Sequence, residues 1–333
     1  MKQTLKHFIG ADVHQSTTTL CVLNAQGERT DLRTLATSEL ALRSYLKGIG
    51  SPKGLVMEEG SLAQWLFLVL RDEVDDLVIC DPYQNHLLKK GAKNDAIDAR
   101  KLAELYRAQM VSPVFHTDDQ RMEVRKFATA YRETVQAMVR TKLQHQAVLR
   151  RVGNQEENLS VLEKKVLGLH EERLEVYLGQ KDQLEKELKY FSKRYPEVQL
   201  LQSIPGIGPI GAMKLLATVV DPKRFATKHK FWSYCGLVRA LRESGGQFYG
   251  SNRGRGNVEM KNVFKTAALA CLQGQGPLKV YYESLREKGL AEHDARHAVA
   301  RKIAAIVLAC WKGKKRFDAK YLRPKKEELK AMN

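Results

Sequence analysis

The sequence predicts an α/β domain built on a mixed sheet, followed by a long helical stretch and a mostly helical C-terminal region. Three observations predict it. Between Leu5 and His116, short apolar runs alternate with amphipathic segments. From Asp119 to Tyr195, apolar residues recur at three- and four-residue spacing with few breakers. Past Pro196, helical segments resume around glycine-rich turns. Three strands followed by strand–helix units fit a mixed sheet flanked by helices.

In order, His7-Phe8-Ile9-Gly10-Ala11-Asp12-Val13 reads as a buried strand. Thr17 to Leu23 is a second strand, turning at Asn24–Gly27 into a third near Arg29 to Leu35. Ser38 caps a helix running through Leu46, with Gly48 and Gly50 ending it. Gly54 to Glu58 is a fourth strand, Leu62 to Leu70 a helix, and Asp76 to Pro82 a fifth strand. The basic loop from Lys89 to Lys93 then leads to a helix opening at Asp95. Val124, Ala128, Tyr131, Val135 and Met138 form one helical stripe, and Leu174, Leu178, Leu188, Phe191 and Tyr195 another, so a hairpin or coiled-coil arm is expected, broken at Gly153-Asn154. Beyond it, Ile204-Pro205-Gly206-Ile207-Gly208 joins two short helices, the segment Phe231–Val238 reads as core, and helices follow from Val258 to Leu272 and from Ala295 to Trp311.

Composition narrows the function. The 333 residues carry 56 Lys+Arg against 38 Asp+Glu, a formal charge of +18, which points to a polyanionic partner. The longest apolar run, Ile303 to Trp311, is about half of the ~20 residues of a membrane span. Five cysteines with no paired spacing argue against a zinc site and a disulfide framework, and the N-terminus has no signal-peptide core. A cytoplasmic nucleic-acid protein is therefore expected, with no membrane partner.

Four acids carry the candidate chemistry. Asp95 and Asp98, three apart on a helix, share a face. Like charges about 4 Å apart repel by about 4 kcal/mol at an effective dielectric near 20, and a cation between them reverses the sign. Helix-start aspartates also serve as caps, so the pair alone is weak evidence. Asp12, however, ends an apolar strand where a carboxylate is costly, and Glu58 and Glu59 end another. If those strands are neighbours, the acids meet at the C-terminal sheet edge, where open α/β sheets hold ligands. Hard oxygen donors suit Mg2+, with Mn2+ as the alternative, and two such ions would activate a phosphodiester for attack.

Other segments suggest backbone contacts. The Gly206–Gly208 turn offers helix N–H groups to a phosphate. Arg140, Arg150 and Arg151 on the arm, Lys93 before the acidic helix, and Lys314, Lys315 and Arg316 in the tail could neutralise phosphates. Ser244, before Gly245-Gly246, reads first as a turn residue, but Arg242, Arg253 and Arg255 around it would suit an approaching phosphate.

The segments Phe8–His14, Met57–Ser61 and Lys93–Ala99, with Ile204–Gly208 and Gly236-Leu237-Val238 to Gly246, resemble the DEDD-type insertion-sequence transposases, relatives of the Piv DNA invertase that include RNA-guided bridge recombinases. The resemblance implies an α/β ribonuclease-H-like (RuvC-like) domain at 1–118 whose acids match Asp12, Glu58, Asp95 and Asp98. It further implies a coiled-coil arm at 119–196, a mostly α C-terminal transposase domain with a helix-hairpin-helix-like segment at 197–312, and a basic tail at 313–333. Ser244 takes the position of a nucleophilic serine. Where that family carries Glu-Ala-Thr-Gly, this chain has Glu58-Glu59-Gly60-Ser61, leaving Glu59 as the alternative acid. Arg239 stands where a proline is common. The expected function is Mg2+-dependent DNA cutting and rejoining through a phosphoserine by a dimer or tetramer, with a guide RNA left open. The alternatives are a junction-resolving nuclease using activated water, and a non-catalytic nucleic-acid scaffold.

Overall fold

In the computed structural model, which describes residues 4–83, 94–253 and 256–322, the first apolar run forms β1 (His7–Val13) inside a six-stranded sheet. β2 (Thr17–Asn24) returns antiparallel beside β1, and β3 (Arg29–Ala36) continues the meander. Ser38 caps α1 (Glu39–Lys47), its side chain accepting the Ala41 N–H. The chain then reaches the opposite side of β1, where β4 (Lys53–Glu58) and β5 (Asp76–Cys80) run parallel to it. α2 (Ala63–Leu70) joins them. After α3 (Asp95–Arg107), the two-residue β6 (Pro113–Val114) closes the order β3-β2-β1-β4-β5-β6. This mixed, helix-flanked sheet is consistent with a ribonuclease-H-like domain. β6 carries no period of its own, so the sequence did not announce it.

The two faces of the sheet follow from side-chain alternation. Ile9, Ala11, Leu55 and Met57 pack with Leu42 and Leu46 of α1 and with Leu66 and Leu70 of α2. Val56 faces the other way, packing with Leu102 and Tyr106 of α3, while Cys21 and Leu23 meet Ala99 and Ala103. α3 lies tightly on that face. A Cβ on Gly10 would sit 2.1 Å from the Ala99 carbonyl oxygen and 2.5 Å from the Ala103 nitrogen. On β4, a Cβ on Gly54 would sit 2.2 Å from the Tyr106 hydroxyl, which donates to Asp76 Oδ2 at 2.6 Å.

The chain divides after Asp118 into a second unit with its own core. α4 (Arg121–Arg151) and α5 (Val161–Ser192) form a hairpin. The pairs Tyr131–Glu185 at 3.1 Å and His145–Glu171 at 3.3 Å show that the two run antiparallel. Gly153 and Asn154, both at positive φ, make the turn. Ser160 and Glu163 start α5 with a reciprocal capping box.

Then come α6 (Pro196–Gln202), α7 (Pro209–Val219) and α8 (Lys228–Tyr234). A β7 (Arg239–Ser244)–β8 (Gln247–Arg253) hairpin follows. α9 (Val258–Gln273), α10 (Pro277–Glu287) and α11 (Glu292–Gly313) complete the unit. Leu201, Met213, Leu216, Phe231, Phe264, Ile303 and Trp311 form the core, joined by Val124 and Leu188 from the base of the long hairpin. Within the stripe read from the sequence, Leu188 is buried and Leu178 is 49% exposed in the single chain. No helix among the described residues is long and apolar enough to cross a membrane.

The contact at Gly10 yields a direct test. Gly10→Ala forces a methyl group into the α3 backbone, so a loss of about 1–3 kcal/mol in stability is expected, together with weaker divalent-cation binding as α3 is displaced. Thermal melts and calorimetric Mg2+ titration of the variant check both.

Candidate active site

Strand β1 delivers Asp12 to the C-terminal end of the sheet on the face that α3 covers, two residues beyond Gly10. Asn94 caps α3, its Oδ1 accepting the Ile97 N–H at 2.8 Å, so neither Asp95 nor Asp98 is needed for capping. Both aspartates sit in the first turn, where the helix dipole favours negative charge. Asp12, His14 and Asp95 present ligand atoms that all lie within 4.8 Å of one another. His14 Nε2 is 3.3 Å from Asp12 Oδ2 and 3.5 Å from Asp95 Oδ1.

Burial pushes the Asp12 carboxyl above its ordinary value, His14 opposes the shift, and the charges of Asp95 and Asp98 add to it. Asp95 and Asp98 are thus close enough for their charges to disfavour ionisation of Asp12. The donor set, carboxylate oxygens plus one imidazole nitrogen, fits a divalent cation.

Glu58 and Glu59 part company at the end of β4. Glu58, two residues after Val56, extends the strand on the α3 face, the face of Asp12. With Asp12, His14 and Glu59 it lines a cleft of about 210 Å³ that Ala11, Met57 and Leu66 also border. Glu59 lies past the strand end, and a histidine engages it. Its backbone N–H donates to the Cys80 carbonyl at 2.9 Å, and its carboxylate meets His116 Nε2 at 2.5 Å. The His116 ring is fixed from its other side by Gln64 Oε1 at 2.8 Å, and Gln64 donates to the Thr117 carbonyl. Neither His14 nor His116 was singled out from the sequence. A lone histidine has no spacing to give it away, although His14 sits two residues from Asp12.

The remaining candidates lie in the second unit. β7 and β8 place Ser244 opposite Gln247, across a turn in which Gly245 (φ 58°) and Gly246 (φ 75°) are both left-handed. That is the geometry of a tight hairpin turn, and it requires glycine or a close substitute at both positions. Arg242 lies in β7, and Arg253, at the end of β8, pairs in register with Arg239. Lys93 and Arg255 lie outside the described residues. Arg140, Arg150 and Arg151 are exposed on α4, the last two at its tip. Gly206 and Gly208 flank the turn into α7, and Gly208 is its N-cap. Lys314, Lys315 and Arg316 are exposed just past α11. The first turn of the tail is docked: the Phe317 N–H donates to Ser203 Oγ at 2.9 Å, and Phe317 packs on the core.

Comparison with known proteins fits this arrangement. Residues 9–154 match the model of the DEDD transposase family, and residues 198–283 match that of the transposase IS116/IS110/IS902 family. The chain is 30% identical over 131 residues to the 43.6 kDa protein of insertion element IS110 from Streptomyces coelicolor, covering 39% of this chain and 32% of that protein. It is 32% identical over 131 residues to the transposase for insertion sequence element IS1111A of Coxiella burnetii, covering 38% and 35% of the two chains. The matches thus span about a third of the length of these relatives. Both models are found in order, and these matches support a DEDD-type insertion-sequence transposase.

The geometry separates the neighbouring glutamates experimentally. Mg2+ at 100 times its Kd is expected to stabilise the wild-type protein by about 2.7 kcal/mol. Asp12→Asn and Glu58→Gln should lose that gain, and Glu59→Gln should keep it. Asp12 must be ionised to bind. As pH falls through its raised pKa, Mg2+ stabilisation should fade at a higher pH than an ordinary aspartate, at 3.8, would give. Thermal melts with and without Mg2+ across acidic pH check both outcomes.

Proposed function

We propose that the chain is the transposase of an insertion element and that it cuts and rejoins DNA at the Asp12 cleft. The observation that carries this reading is the convergence of Asp12, Asp95 and His14 at the C-terminal sheet edge, with the charge of Asp98 acting on Asp12. Asp12, Glu58, Asp95 and Asp98 would hold Mg2+ or Mn2+. When bound, such ions neutralise the acids, polarise a phosphodiester and ease deprotonation of the attacking hydroxyl.

Ser244 is the proposed nucleophile. Its Oγ bonds to phosphorus and gives up its proton, while the bond from phosphorus to the departing sugar oxygen breaks and that oxygen takes up a proton. One phosphoester replaces another, so rejoining reverses the step without an added nucleotide. The Gly245-Gly246 turn supports this role, since two residues without side chains let a backbone come close.

DNA phosphates are held by the exposed Arg140, Arg150, Arg151, Lys314, Lys315 and Arg316, by Arg242 and Arg253, and by the N–H groups at Gly206–Gly208. Lys93 and Arg255 join this set on sequence grounds. A guide RNA would be held by the same cations, and a cytoplasmic location follows from the reading. The exposed Leu162, Val166, Leu169 and Val176, at heptad-like spacing on α5, favour pairing with a second copy.

A labelled DNA target quenched in denaturant is expected to show a slow-migrating protein adduct that Ser244→Ala abolishes while nucleic-acid affinity stays within a few-fold. Free hydrolysed ends without any adduct would instead favour the junction-resolving nuclease. Leu162→Glu combined with Leu169→Glu should lower the particle mass in light scattering to that of one chain, and an unchanged mass would place self-association elsewhere.

A further inference from the structure

We infer that His14 is a ligand of the divalent cation, so that the site binds through a mixed nitrogen and oxygen set and prefers Mn2+ over Mg2+ more than four carboxylates would. This rests on the acid-site reading above and adds a fifth member to it.

The first support is geometric. In octahedral coordination with bonds of about 2.1 Å, adjacent ligand atoms lie about 3 Å apart. His14 Nε2 stands 3.3 Å from Asp12 Oδ2 and 3.5 Å from Asp95 Oδ1, and the three atoms fall within 4.8 Å of one another. A small inward movement of one side chain would bring these separations to that edge length.

The second support is the fixed backbone behind the ring. The His14 N–H donates to the Thr17 carbonyl at 2.9 Å, and its carbonyl accepts from Thr37 Oγ1 at 2.9 Å. Thr37 Oγ1 is itself within 2.8 Å of Thr18 Oγ1. The turn between β1 and β2 therefore presents the imidazole from a braced position, as a preorganised ligand requires.

The third support is access. The His14 and Asp95 side chains are about half exposed, at 53% and 54%, while that of Asp12 is 21% exposed. The nitrogen thus stands at the mouth of the cleft, where an ion enters from solvent. Imidazole coordinates first-row transition ions, Mn2+ the most weakly among them, whereas the harder Mg2+ favours oxygen donors and retained waters. Removing His14 should therefore cost Mn2+ affinity more than Mg2+ affinity.

The test uses the full chain, Mn2+ as a spectroscopic probe and Mg2+ as its comparison. Pulsed electron paramagnetic resonance of bound Mn2+ is expected to show coupling to a directly bound imidazole nitrogen, and His14→Gln should remove it. His14→Gln should also weaken Mn2+ binding on the order of tenfold, by calorimetry, with a smaller change for Mg2+. Because the side chain is half exposed, the variant should melt close to the wild type. Mn2+ bound in a manner that depends on Asp12, but without nitrogen coupling, overturns the inference and leaves the acid site standing. An unchanged Mn2+-to-Mg2+ preference in His14→Gln does the same. If wild type and Asp12→Asn take up Mn2+ equally, or not at all, the acid-site reading itself falls and this inference falls with it.

Discussion

The half-buried carboxyl of Asp12, set beside the charges of Asp95 and Asp98, is the constraint around which the first unit is arranged. Burial, more than anything else, pushes the Asp12 carboxyl above its ordinary value, and the charges of Asp95 and Asp98 add to that shift. The fold meets it with fixed partial charges. The N-terminus of α3 points its dipole at Asp95 and Asp98, and His14 lies between Asp12 and Asp95. The resulting group of ligand atoms is a candidate site for a cation. The glycines matter for the same reason. Only with Gly10 and Gly54 beneath it can α3 lie low enough on the sheet to bring its first turn to Asp12.

The second unit solves a different problem. Its core gathers short helices joined by tight turns, and it is closed by residues from far apart in the chain, such as Val124, Leu188 and Trp311. Trp232 Nε1 donates to the Arg301 carbonyl, and Phe317 ties the start of the tail to Ser203. A short β-hairpin with a two-glycine turn stands among these helices and ends one strand on Ser244. The acids and the serine thus belong to units with separate cores.

Much of this was legible from the residues. β1 showed as an apolar run, α1 through its Ser38 cap, and α3 through its apolar period. Alternation along β1 and β4 then put Asp12 and Glu58 on one face. The pairing of Asp12 with Asp95 was legible, because a carboxylate in apolar surroundings is costly and therefore informative. His14 and His116 were not, since a single imidazole leaves no spacing and its partners come from distant segments. The β7–β8 hairpin was missed because its glycines and arginines hide the alternation that marks strands. Helix α10 was missed because Gly274, Gly276 and Pro277 make its start read as loop.

The length of the α4–α5 hairpin has a mechanical consequence. A helix of 31 residues extends about 46 Å at 1.5 Å per residue, with its base anchored through Val124 and Ala128 and its far end carrying Arg150 and Arg151. Such a rod is a lever with high gain: each degree of tilt at the base sweeps the tip through about 0.8 Å. About four degrees of play in the packing around Val124 would shift the two guanidinium groups by about 3 Å, comparable to the ~3.4 Å that one nucleotide advances along a duplex. Positive charge at the tip can thereby follow a flexible polyanion while the core beneath it stays still.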